Sequence, residues 1–147
     1  MSTKPFIVKP GDKIPALNVV GIKVDVLVSD TVSQSQQITL QSGDEGVGPP
    51  PHTHPWDESF YVTKGEVRFT CDGQTTNCSV GTLVYIPAGT VHAFSFGPGG
   101  GAMLEITAAG SKAVQMFSAL DREVAPGPLD VPKVVQVAGA YGVALQV

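Results

Sequence analysis

The chain has 147 residues, of which 42% are hydrophobic and 15% charged, with a net charge of −4. This length predicts one domain with a single core, and the apolar content argues against disorder. The lysines and arginines form no cluster, so we expect no nucleic-acid or anionic-membrane surface. The N-terminus lacks an apolar signal segment and no apolar run could span a bilayer, so we expect a cytoplasmic protein.

The first part of the chain is predicted to be an arm followed by two strands. Residues 1–16 contain three prolines, which oppose helix formation, and are interpreted as an N-terminal arm. Residues 18–29 carry β-branched side chains at every second position, which is typical of a strand. Residues 34–41 are predicted to form a second, more polar strand.

Short strands separated by turn residues continue as far as residue 107. They are predicted at residues 58–63, 66–71, 77–80, 82–86, 91–96 and 102–107. Turns are predicted at Lys64-Gly65 and Asp72-Gly73, and the glycine-rich residues 97–101 are predicted to separate the last two strands. With no long helix between them, these strands predict an all-β fold over residues 17–110, an antiparallel barrel or sandwich with a jelly roll as the leading form.

The C-terminal residues 111–147 are predicted to form a partly helical extension. In residues 112–120, Val114, Phe117 and Leu120 recur at helical spacing, which favours a short amphipathic helix. Asp130 is typical of a helix N-cap, and Gly142 is typical of the residue after a helix, so a second short helix is predicted between them.

The three histidines of the chain lie in two proline- and glycine-rich segments and predict a metal site. His52 and His54 are two positions apart, so both side chains point to one side of an extended segment. Glu58 follows at the same parity, and His92 lies in the second segment. Three imidazoles and one carboxylate suit a single divalent Mn, Fe, Co, Ni, Cu or Zn ion per chain. Glu58 is a candidate metal ligand and also a candidate catalytic acid or base.

These residues stand in two motifs that resemble those of the cupin superfamily. The run Gly46-x5-His52-x-His54-x3-Glu58-x6-Gly65 is similar to its first motif, and Gly81-x5-Pro87-x-Gly89-x2-His92 is similar to its second. Phe96 occupies a position where the family often has asparagine. The resemblance implies a single jelly-roll barrel that encloses a metal held by His52, His54, Glu58 and His92.

Four aromatic residues are candidates for the wall of a substrate pocket. Phe60, Phe94 and Phe96 share the parity of the predicted ligands. Trp56 lies in the loop between the predicted ligands His54 and Glu58. The same residues could equally fill the core of a small barrel, so the sequence leaves both interpretations open.

Three functions are compatible with a metal site of this kind. The first is a metal-dependent dioxygenase, because residues 112–120 and 133–143 resemble the C-terminal extension of quercetin dioxygenase-like cupins. That resemblance implies a small organic substrate of aromatic or flavonoid-like character. The second is a non-redox isomerase, lyase or decarboxylase in which the metal polarises a carbonyl. The third is a cupin that binds metal and ligand without turnover.

Two further expectations concern the cysteines and the oligomeric state. Cys71 and Cys78 flank the predicted turn at residues 72–73, where a cross-strand bridge is one arrangement and two free thiols another. Free thiols are expected in a reducing cytoplasm. A homodimer is expected because the apolar arm and the sheet edges of a small barrel need cover.

Overall fold

One antiparallel sheet of nine strands curls into a half-barrel in the computed structural model, which describes residues 4–147. The strands are β1 (Leu17–Val19), β2 (Ile22–Val28), β3 (Gln37–Gly43), β4 (His52–Thr53), β5 (Glu58–Cys71), β6 (Gln74–Ser79), β7 (Leu83–Ile86), β8 (His92–Thr107) and β9 (Ala144–Leu145). The helices are α1 (Asp30–Ser33), α2 (Ala113–Glu123) and α3 (Val131–Ala140). The all-β jelly-roll prediction is confirmed.

The two longest strands, β5 and β8, pair along most of their length and connect the two halves of the sheet. The predicted turn at Lys64-Gly65 is wrong, and so is the predicted break at residues 97–101, because both segments lie inside continuous strands. Gly65 has a φ of 65° and sits at a register shift, so it bends β5 without ending it. A Cβ at this position would also overlap the carbonyl oxygen of Gly100.

Four phenylalanines form the centre of the core. Phe60 contacts Phe69 and Phe94, with ring centroids 5.1 and 5.7 Å apart, and Phe94 contacts Phe96 at 5.7 Å. Along residues 58–62 of β5 the buried residues alternate with more exposed ones, so Glu58 and Phe60 share the inner face as their parity predicts. The inner face of this strand therefore begins with the carboxylate and continues into the aromatic core.

The C-terminal extension closes one end of the half-barrel. Helix α2 packs on β1, α3 packs on α2, and β9 pairs with β4. Both helices were predicted, and Asp130 caps α3 by accepting a hydrogen bond from the backbone N–H of Lys133 at 3.2 Å. Strand β9 was not predicted, since two residues carry no readable alternation. No helix in residues 4–147 is long and apolar enough to cross a bilayer.

Buried amides fix the position of α2 on the sheet. The Gln37 amide accepts a hydrogen bond from the backbone N–H of Val114 at 2.9 Å and donates one to the Gln115 side chain, also at 2.9 Å. Gln115 in turn donates to the Asp30 carboxylate. Because Gln37 is withdrawn from water, losing its partners on α2 would leave its amide unsatisfied, which makes the docking of α2 specific.

The N-terminal arm contacts the sheet through one ion pair and leaves apolar side chains exposed. Lys13 lies 3.6 Å from the largely buried carboxylate of Asp25 on β2. Phe6, Ile7 and Ile14 expose 47%, 81% and 58% of their surface, so these described residues find little cover within the chain. The exposed arm is compatible with the expected homodimer, which stays a prediction.

Both cysteines are free thiols. Cys71 pairs with Gln74 across the hairpin of β5 and β6, whereas Cys78 pairs with Val67. The two residues are therefore offset along the strands, and the cross-strand bridge considered from the sequence does not form.

A glycine in the loop before β4 offers a test of this packing. A Cβ at Gly48 would overlap the carbonyl oxygen of Phe94, so Gly48→Ala should lower the free energy of unfolding by about 2–3 kcal/mol. Gly139→Ala is the matched control, because nothing lies within 4 Å of its added methyl and alanine favours the helix by about 0.5–1 kcal/mol. Urea denaturation measures both, and equal stability of the two variants would contradict the close approach at Gly48.

Candidate metal centre

Three imidazoles meet at the end of the half-barrel because β4 pairs with β8. The Cα atoms of His52 and His92 are direct partners across this pair, and their ring centroids lie 4.2 Å apart. His54 lies two positions after His52, and its ring centroid is 4.9 Å from that of His92. The candidate ligand atoms of all three side chains lie within 4.8 Å of one another.

Each imidazole is oriented by a backbone carbonyl two residues away. The Nδ1 atoms of His52, His54 and His92 lie 2.9, 3.0 and 2.8 Å from the carbonyl oxygens of Pro50, Trp56 and Thr90. A carbonyl only accepts, so each Nδ1 carries the proton and donates it. With Nδ1 bonded to a carbonyl, Nε2 is the atom of each ring that could ligate a metal, as is usual for ligating histidines.

The Glu58 carboxylate lies between two of these rings. Its Oε2 atom is 3.0 Å from Nε2 of His54 and 3.0 Å from Nε2 of His92, and only 4% of the residue is exposed. The three histidines form the metal-binding group that the geometry defines, with Glu58 directly beside it. Whether Glu58 is a fourth ligand or an acid/base stays open.

Burial and the carboxylate set the charges of the site. Burial lowers the pKa of His52 to about 4, which keeps this ring neutral at pH 7. Burial also opposes ionisation of Glu58, but hydrogen bonds from His54 and His92 outweigh it and hold its pKa well below the usual range. Burial opposes the charge of His92 as well, yet the hydrogen bond and negative charge of Glu58 raise its pKa.

The donor set fits a divalent transition metal. Three imidazoles that offer Nε2 and one ionised carboxylate are the ligands that borderline metals such as Mn, Fe, Co, Ni, Cu and Zn accept. Where Glu58 accepts two hydrogen bonds from Nε2 atoms, an ion would take the place of the protons. The site is therefore consistent with the predicted divalent metal.

Trp56 supports His54 in two ways. Its indole stacks on the imidazole, with centroids 4.5 Å apart and planes inclined by 10°, and its carbonyl oxygen holds Nδ1 of the same ring. Trp56 is only 5% exposed, and its Nε1 has no hydrogen-bond partner among the described residues. The loop residue between the predicted ligands thus fixes the rotation of one of them.

A cavity of about 180 Å³ opens beside the histidines. Trp56, Phe60 and Phe94 line it, as predicted for pocket residues, while their contact with a substrate stays a prediction. Phe96 is not among the residues that line this cavity, and its contact with a substrate stays a prediction. A Cβ at Gly43 would lie 2.7 Å from its ring, which shows that Phe96 fills the space left by a glycine in the core.

The C-terminal extension forms the opposite wall of the cavity. Its contributions are apolar and come from both helices and the segment that follows them, including Met116, Phe117, Leu120, Val134, Val143 and Leu145. The extension therefore does more than cover the end of the sheet, because it shapes the space in front of the candidate metal site.

A polar cluster on the inner face was missed by sequence reasoning. Thr39 donates to Oε1 of Glu105 at 2.9 Å, and Gln41 donates to Thr39 at 3.4 Å. Burial, and then the charge of Glu58, raise the pKa of Glu105 well above its usual value. The available signal was the parity of Glu105 with Met103 and Thr107, which places an acid on the inner face of an apolar strand.

The fold and the three histidines define a curled β-barrel with a candidate metal site, and the comparison with protein families agrees on the fold. The family model of the cupin domain matches residues 37–106, which include both strands and loops that carry the candidate ligands. The chain therefore contains a cupin domain over these residues. The resemblance of its tail to quercetin dioxygenase-like cupins stays a prediction.

Individual relatives are distant. An uncharacterized protein of Streptomyces coelicolor is 31% identical over 61 residues, and the match covers 42% of this chain and 58% of the relative. An RmlC-like cupin from Shewanella frigidimarina shares 17% identity with a TM-score of 0.67, over 78% of this chain and 99% of that one. The polyketide cyclase RemF from Streptomyces resistomycificus shares 22% identity with a TM-score of 0.64, over 71% and 80%. At these identities the structures show a common fold.

Replacing one candidate ligand tests the metal site. His54→Ala should lower the affinity for divalent metal at least about 100-fold, because a central nitrogen donor is lost. Elemental analysis after dialysis against metal measures the bound ion. Tyr61→Phe, on the outer face of β5, is the control and should bind metal as the wild type does. Stoichiometric metal in His54→Ala would mean that the ligands are wrongly assigned.

The pH dependence of metal binding provides a second test. An ion binds unprotonated imidazole, and the pKa of His92 is raised above 6.5, so protons compete with the metal from near neutrality downward. Affinity should fall at least about tenfold per pH unit between pH 7 and 5. Chelator competition at several pH values measures it, and an affinity that does not change over this range would argue against histidine ligation.

Proposed function

We propose that this cupin is a metal-dependent dioxygenase that acts on a small, uncharged aromatic diol of about one ring. The observation that carries the proposal is the cavity of about 180 Å³, which joins the three-histidine site to predominantly apolar walls. An organic substrate could present its polar atoms to the metal while its ring lies against Phe60 and Phe94.

The charge of the cavity restricts the substrate. None of its lining residues, all within 4–147, is a lysine or an arginine, whereas Glu58 and Glu105 both reach it. A phosphate or carboxylate group would lose its hydration there without gaining a cationic partner. Sugar phosphates and sugar acids are therefore disfavoured relative to neutral aromatic compounds.

The volume of the cavity restricts the size of the substrate. An apolar protein cavity of about 150 Å³ is large enough to bind benzene. The cavity here, at about 180 Å³, suits a single ring with a few substituents rather than the three rings of a flavonoid. We therefore narrow the aromatic or flavonoid-like substrate suggested by the sequence to a catechol-type compound.

Several side chains have definite tasks in such a reaction. A bound redox-active metal would supply the position at which O2 and the substrate oxygens meet. Glu58 is ionised and can accept the proton of a substrate hydroxyl. Backbone carbonyls hold the histidine rings in place. The apolar walls of the cavity would exclude water while the aromatic ring of the substrate is opened. Dioxygenation of a catechol transfers both atoms of O2 to the substrate and requires no external reductant.

One observation favours a non-redox alternative. Glu58 and Glu105 both line the cavity, so two carboxyl groups whose pKa values are shifted in opposite directions stand beside the candidate metal site. Such a pair can take and return a proton without O2, as an isomerase, lyase or decarboxylase requires. The structural similarity to the polyketide cyclase RemF is compatible with this chemistry. A cupin that binds its ligand without turnover is the remaining alternative.

Oxygen consumption tests the dioxygenase directly. Protein loaded with Fe, Mn, Ni or Co should consume one O2 per catechol, as followed with an oxygen electrode and by mass spectrometry of the ring-opened product. Zinc-loaded protein is the control, because zinc binds the same ligands but has no redox chemistry.

The same assay separates the alternatives. Absence of O2 uptake with all four metals would remove the dioxygenase proposal. Conversion of a keto acid or a polyketide under anaerobic conditions would favour the non-redox enzyme, and tight binding without conversion would favour a binding cupin.

A further inference from the structure

We propose that Gln41 is a specificity-determining residue that accepts a hydrogen bond from a hydroxyl or amino group of the substrate, separate from the substrate atoms that bind the metal. This inference rests on the proposed function for the choice of ring compound. It concerns a residue of β3 that no metal motif contains.

Gln41 lies on the wall of the cavity although it is nearly withdrawn from solvent. The residue is 3% exposed and lines the same cavity as His52, His54 and Glu58. On either side of it the inner face carries Val24 and Met103, its Cα partners on β2 and β8. A neutral amide between two apolar side chains is costly to bury unless it has hydrogen-bond partners.

The hydrogen-bond network determines which way the amide points. The single hydroxyl proton of Thr39 goes to Oε1 of Glu105, so Thr39 can only accept from Gln41. That bond uses the Nε2 side of the amide, which leaves the carbonyl oxygen Oε1 on the other side.

The Oε1 atom of Gln41 accepts no hydrogen bond from residues 4–147. It is also not among the fully buried polar atoms that lack a partner, so part of its surface is accessible. Since the residue lines the cavity, the cavity is the space from which Oε1 can be reached. An exposed acceptor on an otherwise apolar wall selects a ligand with a donor at that place. A methoxy group or a bare ring carbon would leave the oxygen unpaired.

The inference also links substrate recognition to the metal site. Gln41 bonds Thr39, and Thr39 bonds Glu105. Glu105 lines the cavity together with Glu58, whose charge raises the pKa of Glu105, and Glu58 bonds His54 and His92. The wall that recognises the donor is thus continuous with the group that receives the substrate proton. The opposite wall, formed by Phe94 and helix α2, offers only apolar contact.

Binding to zinc-loaded protein tests this contact without turnover. Catechol, pyrogallol and 1,2,4-benzenetriol are titrated anaerobically by calorimetry, together with 3-methoxycatechol and 4-methoxycatechol. At least one triol should bind about three- to tenfold more tightly than catechol, and its methoxy counterpart should show no such gain. Because only the ligand changes, this comparison does not depend on the folding of a variant.

Two variants complete the test. Gln41→Met, which keeps the length of the side chain, should abolish the preference for the triol over catechol when both affinities are measured in this variant. Gln37→Met is the matched control, because Gln37 is a buried glutamine on the inner face of the same strand but lies outside the cavity. It should lower stability and keep the preference.

The outcomes separate this inference from the proposed function. A preference of the wild type for the triol that is lost in Gln41→Met would support the inference. This holds even if the protein consumes no O2 with any of the metals. Equal affinity of the wild type for diol and triols, a preference that survives Gln41→Met, or failure of every compound to bind would overturn it.

Discussion

The pairing of β4 with β8 is the constraint on which the candidate site depends. Strand β4 has two residues, and this pairing places His52 opposite His92. Its other edge is bonded to β9, where His52 lies opposite Leu145. A two-residue strand has too few hydrogen bonds to be stable alone, so β8 and β9 hold it from both sides. The C-terminal extension therefore supports the metal site as well as the cavity wall.

The inner face of the half-barrel is divided between polar and apolar walls. Thr39, Gln41 and Glu105 continue from Glu58, while Phe60, Phe94 and helix α2 supply apolar surface. Buried polar groups reduce stability unless they are paired, and here nearly every member has a partner. A protein that needed only a stable core would favour apolar residues at these positions. The polar wall is thus most simply explained by what the cavity binds.

Much of this architecture follows from local signals in the chain. Alternation of β-branched residues indicates the strands, and the spacing of His52, His54, Glu58 and His92 indicates the site. The errors have a common cause. Gly65 and residues 97–101 look like turns because glycine is frequent in turns, but in β5 and β8 they permit bends and close backbone approach. Phe96 has the parity of the pocket residues yet packs against Gly43, because parity selects a face of the sheet and not a position along it.

The residues that determine the chemistry differ in how far they can be read from sequence. Residue type and spacing indicated the candidate ligands, since i and i+2 positions on an extended chain face the same side. The cavity could be recognised only in the folded structure. Its walls come from β3, β5, β8, both C-terminal helices and β9, which are distant in the chain. Gln41 and Glu105 become neighbours only through the pairing of β3 with β8. Volume and the direction of an amide are properties of packed side chains, and packing among remote segments leaves no local pattern in the sequence.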